Sequence, residues 1–187
     1  MTFFVTLSSG RDFHFADPTP AMFCLDDIVH HLSRENRWFN NIEAVSYTVA
    51  QHSLLVASAC RLPQSLPYAL LHEALEMVTR DLSTPFKGFL LSLGVDLVAY
   101  ERRVLRDAVY PAFGLPQPTS AIAQDVDNAD AIALATEFRD IVKGRSEAWR
   151  PKAKPLSMPV RFMTQPKVEE VFRLKLQSAL RPFGKVA

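Results

Sequence analysis

The chain has 187 residues, 48% of them hydrophobic, with 21 basic and 20 acidic side chains and a net charge of +1. That is enough apolar material for one domain with a sizeable core, and the balanced charge offers neither the basic field of a nucleic-acid-polymer binder nor the acidic excess of a disordered chain. No run of eighteen apolar residues occurs, so no membrane span is expected, and Cys24 and Cys60 form no CxxC pair or dense framework, which points to a reducing, cytoplasmic setting.

The opening "MTFFVTLSSGRDFHF" lacks the positive start and long apolar core of a signal peptide. Residues 3–7 and 11–15 alternate around "SSG", which predicts a small β-hairpin turning at Gly10, an accessory within residues 1–16. "DPTPAM" is a proline-broken connector. Asp26 or Asp27 is expected to cap a helix through "DIVHHLSREN", and Thr48 one through "VAQHSLLVASAC". Pro63 and Pro67 bracket the start of the next helix, predicted to run to about Thr79. "STPFKG" reads as a loop, followed by a helix near 95–110 stopped by Pro111 and Gly114. Thr119 opens the longest helical pattern, closed by Gly144. Residues 145–166 carry four prolines and are expected as an extended excursion. Residues 167–183 are expected as an amphipathic closing helix, with Val168, Val171, Phe172, Leu174 and Leu176 on its apolar face. No repeat or second core is visible, so the expected architecture is mostly α, one domain over 1–187, a helical bundle with a small N-terminal β-hairpin.

The stretch "YALLHEALEMVTRD", residues 68–81, places His72, Glu73 and Glu76 in an otherwise buried helix. Buried charges cost several kcal/mol unless they are paired or bind a metal. His72 and Glu76 stand at i and i+4 on one face, with Glu73 about 100° round. A metal beside that face can take His72 and Glu73 as ligands while Glu76 points at its bound water. His52, in an apolar helix, and the acidic group Asp125, Asp127 and Asp130 offer further ligands. Such a mixed nitrogen and oxygen set suits Zn, Mn, Fe, Co or Ni better than Ca. Each residue alone also reads as a packed histidine or a solvated acid; the joint pattern carries the metal reading. "HEALE" falls short of the zinc-peptidase HExxH motif because position 76 is Glu, and no Glu-x-x-His pairs occur on two helices as a binuclear carboxylate bundle requires.

Four blocks occur in order: "NRW" at 36–38, "VAQHS" at 49–53, "HEALEMVTRDLSTPFK" at 72–87 and "NADA" at 128–131. Together they resemble the HD-domain phosphohydrolases, in particular bacterial 5'-deoxynucleotidases and phage dATP triphosphohydrolases. The resemblance extends from the hairpin through the "ADAIALATEFRD" helix. It implies an HD-type helical bundle and metal-dependent hydrolysis of a deoxynucleotide phosphate: a dNMP to its deoxynucleoside, or a dNTP such as dATP to deoxynucleoside plus triphosphate. Carried over to matching positions, it implies His52, His72, Glu73 and Asp130 as ligands of a divalent transition metal (Co, Mn, Zn, Fe or Ni). Glu76 then matches the carboxylate that works with the attacking water, and Asp81 a second acidic residue of the active site. Arg37 and Lys87 match phosphate-contacting cations, and Trp38 the ring that packs against the nucleotide. The resemblance also implies a homo-oligomer, for which the apolar C-terminal helix offers an interface. Three positions depart from the family pattern: Glu73 stands for Asp, Arg80 for Gly and Gln51 for Glu. The alternative reading is a nucleotide-binding or structural module of the same fold, its metal weakened by Glu73 and without turnover.

Overall fold

The computed structural model describes residues 3–42, 46–144 and 150–184. Strands β1 (Phe4–Thr6) and β2 (Asp12–His14) pair antiparallel, with Phe4 opposite His14 and Val5 opposite Phe13. The helices are α1 (Leu25–Leu32), α2 (Val49–Ala59), α3 (Leu66–Leu71), α4 (Glu76–Thr79), α5 (Thr84–Ser92), α6 (Leu97–Val104), α7 (Tyr110–Ala112), α8 (Ser120–Asp140) and α9 (Gln165–Leu180). The fold is mostly α with a small N-terminal hairpin, as periodicity predicts. Among the described residues no helix is long and apolar enough to cross a membrane.

Helix α2 organises the core. Its sequence is apolar all round, so it is buried on most sides and packs against α1, α3, α8 and α9. Its start is set by a capping box: Thr48 Oγ1 accepts from the Gln51 N–H, and Gln51 Oε1 accepts from the Thr48 N–H, both at 3.3 Å. Helix α9 closes the core with Val168, Phe172, Leu176 and Leu180, all fully buried. Leu174 lies two positions from both Phe172 and Leu176, hence on the opposite face, and is 57% exposed. The apolar stripe of α9 is therefore used inside the core. A satellite cluster of Ile42, Tyr47, Ile141 and Val142 sits beneath Trp38 and Phe138.

Several local expectations are corrected. Neither Asp26 nor Asp27 caps α1; the N-cap is Cys24, without a side-chain cap bond. Asp27 is instead fully buried and holds the hairpin loop, accepting from Ser8 Oγ at 2.7 Å, Ser9 N at 2.8 Å and Ser9 Oγ at 2.6 Å. The helix expected to reach Thr79 breaks at His72. The His72 ring donates from Nδ1 to Ala69 O at 2.8 Å, occupying a carbonyl that the next helical N–H needs. The following N–H groups of Ala74, Glu76, Met77 and Val78 then bond three residues back rather than four.

"STPFKG" is the start of α5, not a loop. Ser83 Oγ accepts from the Phe86 N–H at 3.4 Å, and Pro85 lies in the first turn, where a missing N–H costs nothing. No residue of α5 is buried, although Phe86, Phe89 and Leu90 recur at helical spacing after the turn-like residues of "STPFKG". Between α6 and α7, Leu105–Val109 widens to π spacing ahead of Pro111. The chain continues through Pro111 to Ala112, and Gly114 at φ +69° ends it. Helix α8 stops at Asp140, short of Gly144. Of the proline-rich excursion, 150–164 holds no helix or strand, and 145–149 lie outside the described residues. The closing helix begins at Gln165 with Pro166 in its first turn.

Candidate metal centre

Two histidines from different elements meet at the inner edge of a cleft. His52 is fully buried in α2, and His72 caps the C-terminus of α3. Each has its Nδ1 committed elsewhere. His72 Nδ1 faces a carbonyl, which can only accept, so Nδ1 carries the hydrogen. His52 Nδ1 lies 2.6 Å from Glu137 Oε1, a carboxylate that His52 and Arg37 lower against its burial, so this nitrogen also donates. Both rings thus turn Nε2 toward one point, the two nitrogens 3.3 Å apart. Two ring nitrogens at that distance need a cation at that point, either a proton shared with Asp130 or a metal ion in its place.

Asp130 Oδ1 is 3.0 Å from His52 Nε2 and 3.9 Å from His72 Nε2, and Glu73 Oε1 is 3.6 Å from His72 Nε2. Ligand atoms held about 2.0–2.2 Å from one ion stand roughly 3.0–3.5 Å apart, so these edges have the size of a coordination shell. The ligand atoms of His52, His72 and Glu73 all lie within 4.8 Å of one another, and this cluster can hold a metal ion. Glu73 Oε1 is also 3.8 Å from Arg37 Nη1.

The charges around the cluster favour a cation there, and a metal ion would displace the proton that His52 otherwise holds. Burial and the neighbouring Arg37 oppose a charge on His52, but Glu137 and Asp130 outweigh them and push it up to about 9. Burial raises the Asp130 carboxyl, yet its hydrogen bond and charge interaction with His52 bring it far below the usual range. Glu73 is likewise held low, chiefly by His72 and Arg37 against burial. Glu76 goes the other way: burial first, then the charge of Glu73, pushes it well above the carboxylate range. Its side chain is 3% exposed, with Oε1 3.9 Å from Lys87 Nζ and Oε2 without a hydrogen-bond partner.

A cleft of about 320 Å³ opens from this cluster, lined by Arg37, Trp38, Glu73, Glu76, Asp81, Lys87 and Asp130. All nine expected site residues except the two histidines line it, and the histidines stand at its inner edge through Asp130 and Glu73. Arg37 is buried, 3.6 Å from Asp81 and 3.5 Å from Glu137. Trp38, Phe39 and Asn40 follow at φ +59°, +52° and +60°, three successive left-handed residues that cost roughly 1–2 kcal/mol each. The turn is held by Asn41, whose Nδ2 donates to Lys143 O at 2.9 Å and whose carbonyl accepts from Lys143 N at 3.1 Å. Lys87, on α5, reaches Glu101 at 2.8 Å, and its ammonium is pushed up by that partner against burial.

No family model matches the chain. It is 32% identical over 187 residues to the uncharacterized protein RCAP_rcc00048 of Rhodobacter capsulatus, covering 92% of this chain and 93% of that one. It is 31% identical over 148 residues to the uncharacterized protein YfdR of Escherichia coli K12, covering 78% of this chain and 76% of that one. The chain belongs to the family of these two proteins.

In this family member two of the acidic candidates lie apart from the cluster. Asp125 accepts from the backbone N–H groups of Arg61 and Leu62 at 3.0–3.2 Å, ordering the turn before α3. Asp127 is exposed and lines a second groove between α6 and α8. Sequence reading missed Glu137, the partner of His52. Its signal was available: Glu137 lies seven residues after Asp130, close to two full helical turns and so on the same face of α8.

Arg80 stands at a costly backbone position. Its φ of +69° and ψ of 163° belong to a region essentially reserved for glycine, and its largely exposed side chain pairs with Glu35 at 2.8 Å. Arg80→Gly is expected to stabilise the protein by roughly 1 kcal/mol, since relief of strain exceeds glycine's added chain entropy and a surface ion pair. Urea denaturation measures this; a loss of stability would mean that the Glu35 contact outweighs the strain.

Proposed function

We propose that the protein is a metal-dependent phosphohydrolase of deoxynucleotides on an HD-type fold. The observation that carries this is the convergence of two histidine Nε2 atoms and the carboxylates of Glu73 and Asp130 on a cleft that also holds the buried, high-lying Glu76. His52, His72, Glu73 and Asp130 would hold a divalent transition metal. When bound, such an ion neutralises phosphoryl charge and lowers the pKa of a coordinated water.

The remaining side chains have separable tasks. Glu76 holds or moves a proton at the attacking water, and its raised carboxyl lies nearer the working range of a general acid or base than an ordinary glutamate. Arg37 offers a fork to two phosphate oxygens, oriented by Asp81. Lys87 adds a point charge at the opposite wall. Trp38 supplies a flat surface for the sugar or base. The second groove, of about 1070 Å³, meets the same cluster at His72, Glu73 and Asp130, and gives room for a product or a longer phosphate chain to leave.

The test is a screen of dNMPs, dNTPs and ribonucleotides with Mn, Co or Zn. Phosphate or triphosphate release that is lost on chelation and restored by metal is the expected result. No bound transition metal and no turnover of any of these substrates would sink the enzyme reading. Glu73→Asp bears on the ligand set alone: cobalt affinity should be retained or raised, because the shorter carboxylate still faces His72 and is less shared with Arg37. Glu73→Ala should lower cobalt affinity by more than about tenfold, and an unchanged affinity in that variant would remove Glu73 from the ligands.

A further inference from the structure

One carboxylate joins the metal half of the cleft to its cation and indole half. Glu137 is fully buried in α8. Its Oε1 accepts from His52 Nδ1 at 2.6 Å and from Tyr47 OH at 3.1 Å. Its Oε2 accepts from Trp38 Nε1 at 2.9 Å and lies 3.5 Å from Arg37 Nε, which has no hydrogen-bond partner of its own. Four donors from residues 85 to 100 positions away in the chain therefore converge on one anion, and every oxygen lone pair they need comes from it. A buried group so fully surrounded by donors must be an acceptor on both oxygens, which a carboxylate is and an amide is not.

We propose that Glu137 is a positioning residue that fixes both halves of the site at once. Through Oε1 it keeps the His52 hydrogen on Nδ1, leaving Nε2 free to face the metal. Through Oε2 it anchors the left-handed turn at Trp38–Asn40 and so sets where Arg37 and Trp38 stand in the cleft. What Arg37 and Trp38 bind rests on the phosphohydrolase reading; the positioning itself does not. The device also explains how a turn of three non-glycine residues at positive φ persists: its indole is tied to a residue that the metal-facing histidine already holds in place.

Two variants test this without any substrate. Glu137→Met removes both acceptors at similar length. Glu137→Gln keeps one acceptor and turns a donor toward the other pair. Cobalt affinity is read from its absorption spectrum. The indole is read from Trp38 emission in a Trp149→Phe background, since the chain has two tryptophans. Glu137→Met is expected to lose about 10–100-fold in cobalt affinity and to shift Trp38 emission, with helical circular dichroism retained. A loss confined to one readout in that variant would overturn the joint role, because the carboxylate would then serve one arm only. If Glu137→Met does not fold, Glu137→Gln decides: a change in either readout supports the role, and wild-type values in both overturn it. Turnover by the wild type with unaltered variants would sink this role and leave the phosphohydrolase standing, whereas altered cobalt binding with no turnover of any nucleotide would do the reverse.

Discussion

Glu76→Gln should abolish turnover while the protein keeps its metal and its stability. Glu76 opens α4 just after the break at His72, and its side chain is almost wholly buried. One oxygen lies 3.9 Å from Lys87; the other has no hydrogen-bond partner. Burial and the charge of Glu73 both oppose its ionisation. Glutamine keeps the shape and remains neutral, so the fold loses nothing and the cost of burying a charge is removed. What glutamine cannot do is exchange a proton. Removal of a general acid or base costs typically 10²–10⁴-fold, and the expected fall in kcat is in that range. Cobalt content should match the wild type, because Glu76 stands behind the ligand cluster rather than in it. Activity within tenfold of wild type would end the role assigned to Glu76. Loss of metal in the variant would instead make it a ligand.

The second large effect is on stability. Arg37→Leu should destabilise the metal-free protein by about 3–5 kcal/mol, the range for removing one partner of a buried ion pair. The guanidinium lies 3.8 Å from Glu73, 3.6 Å from Asp81 and 3.5 Å from Glu137. Burial alone would favour its neutral form, but Glu137, Asp81, Glu76 and Glu73 hold the charge in place more firmly than in water. Without it, the carboxylates of Glu73, Asp81 and Glu137 face one another with only His52 and Lys87 nearby as cations. Added cobalt or zinc should recover part of the loss, since a divalent ion at the His52–His72–Glu73 cluster supplies positive charge a few ångströms away. Thermal melts with and without metal separate the cases. A metal-free variant as stable as wild type would show that the surrounding acids are neutral rather than charge-balanced by Arg37.

The candidate site was legible where burial and charge conflict locally. His52 stood out because an imidazole in an apolar helix needs a partner, and His72 with Glu73 for the same reason. Asp130 could be separated from Asp125 and Asp127 only by matching a motif; in the fold the three diverge, since Asp125 orders the turn before α3 and Asp127 faces the outer groove. Glu137 was missed because "ATEFRD" looks like an ordinary helix end, although its spacing from Asp130 places both on one face. Helix α5 is hidden for a different reason: Ser83, Pro85 and Gly88 are turn residues by composition, and here Ser83 caps the helix and Pro85 sits in its first turn, ahead of Phe86, Phe89 and Leu90 at helical spacing.

The sequence by itself determined the elements whose causes are local. The hairpin around "SSG", the Thr48 capping box with Gln51 and the amphipathic stripe of α9 all rest on residues within a turn or two of each other. What only the tertiary structure decided is the state of the imidazoles. Which nitrogen of His52 faces the cluster depends on Glu137, 85 residues away, and the break at His72 depends on its ring taking the Ala69 carbonyl. Helix propensity and periodicity act over a few residues; a hydrogen bond between distant helices exists only once α2 and α8 have packed and excluded water. That packing turns two ordinary histidines so that their Nε2 atoms face one point.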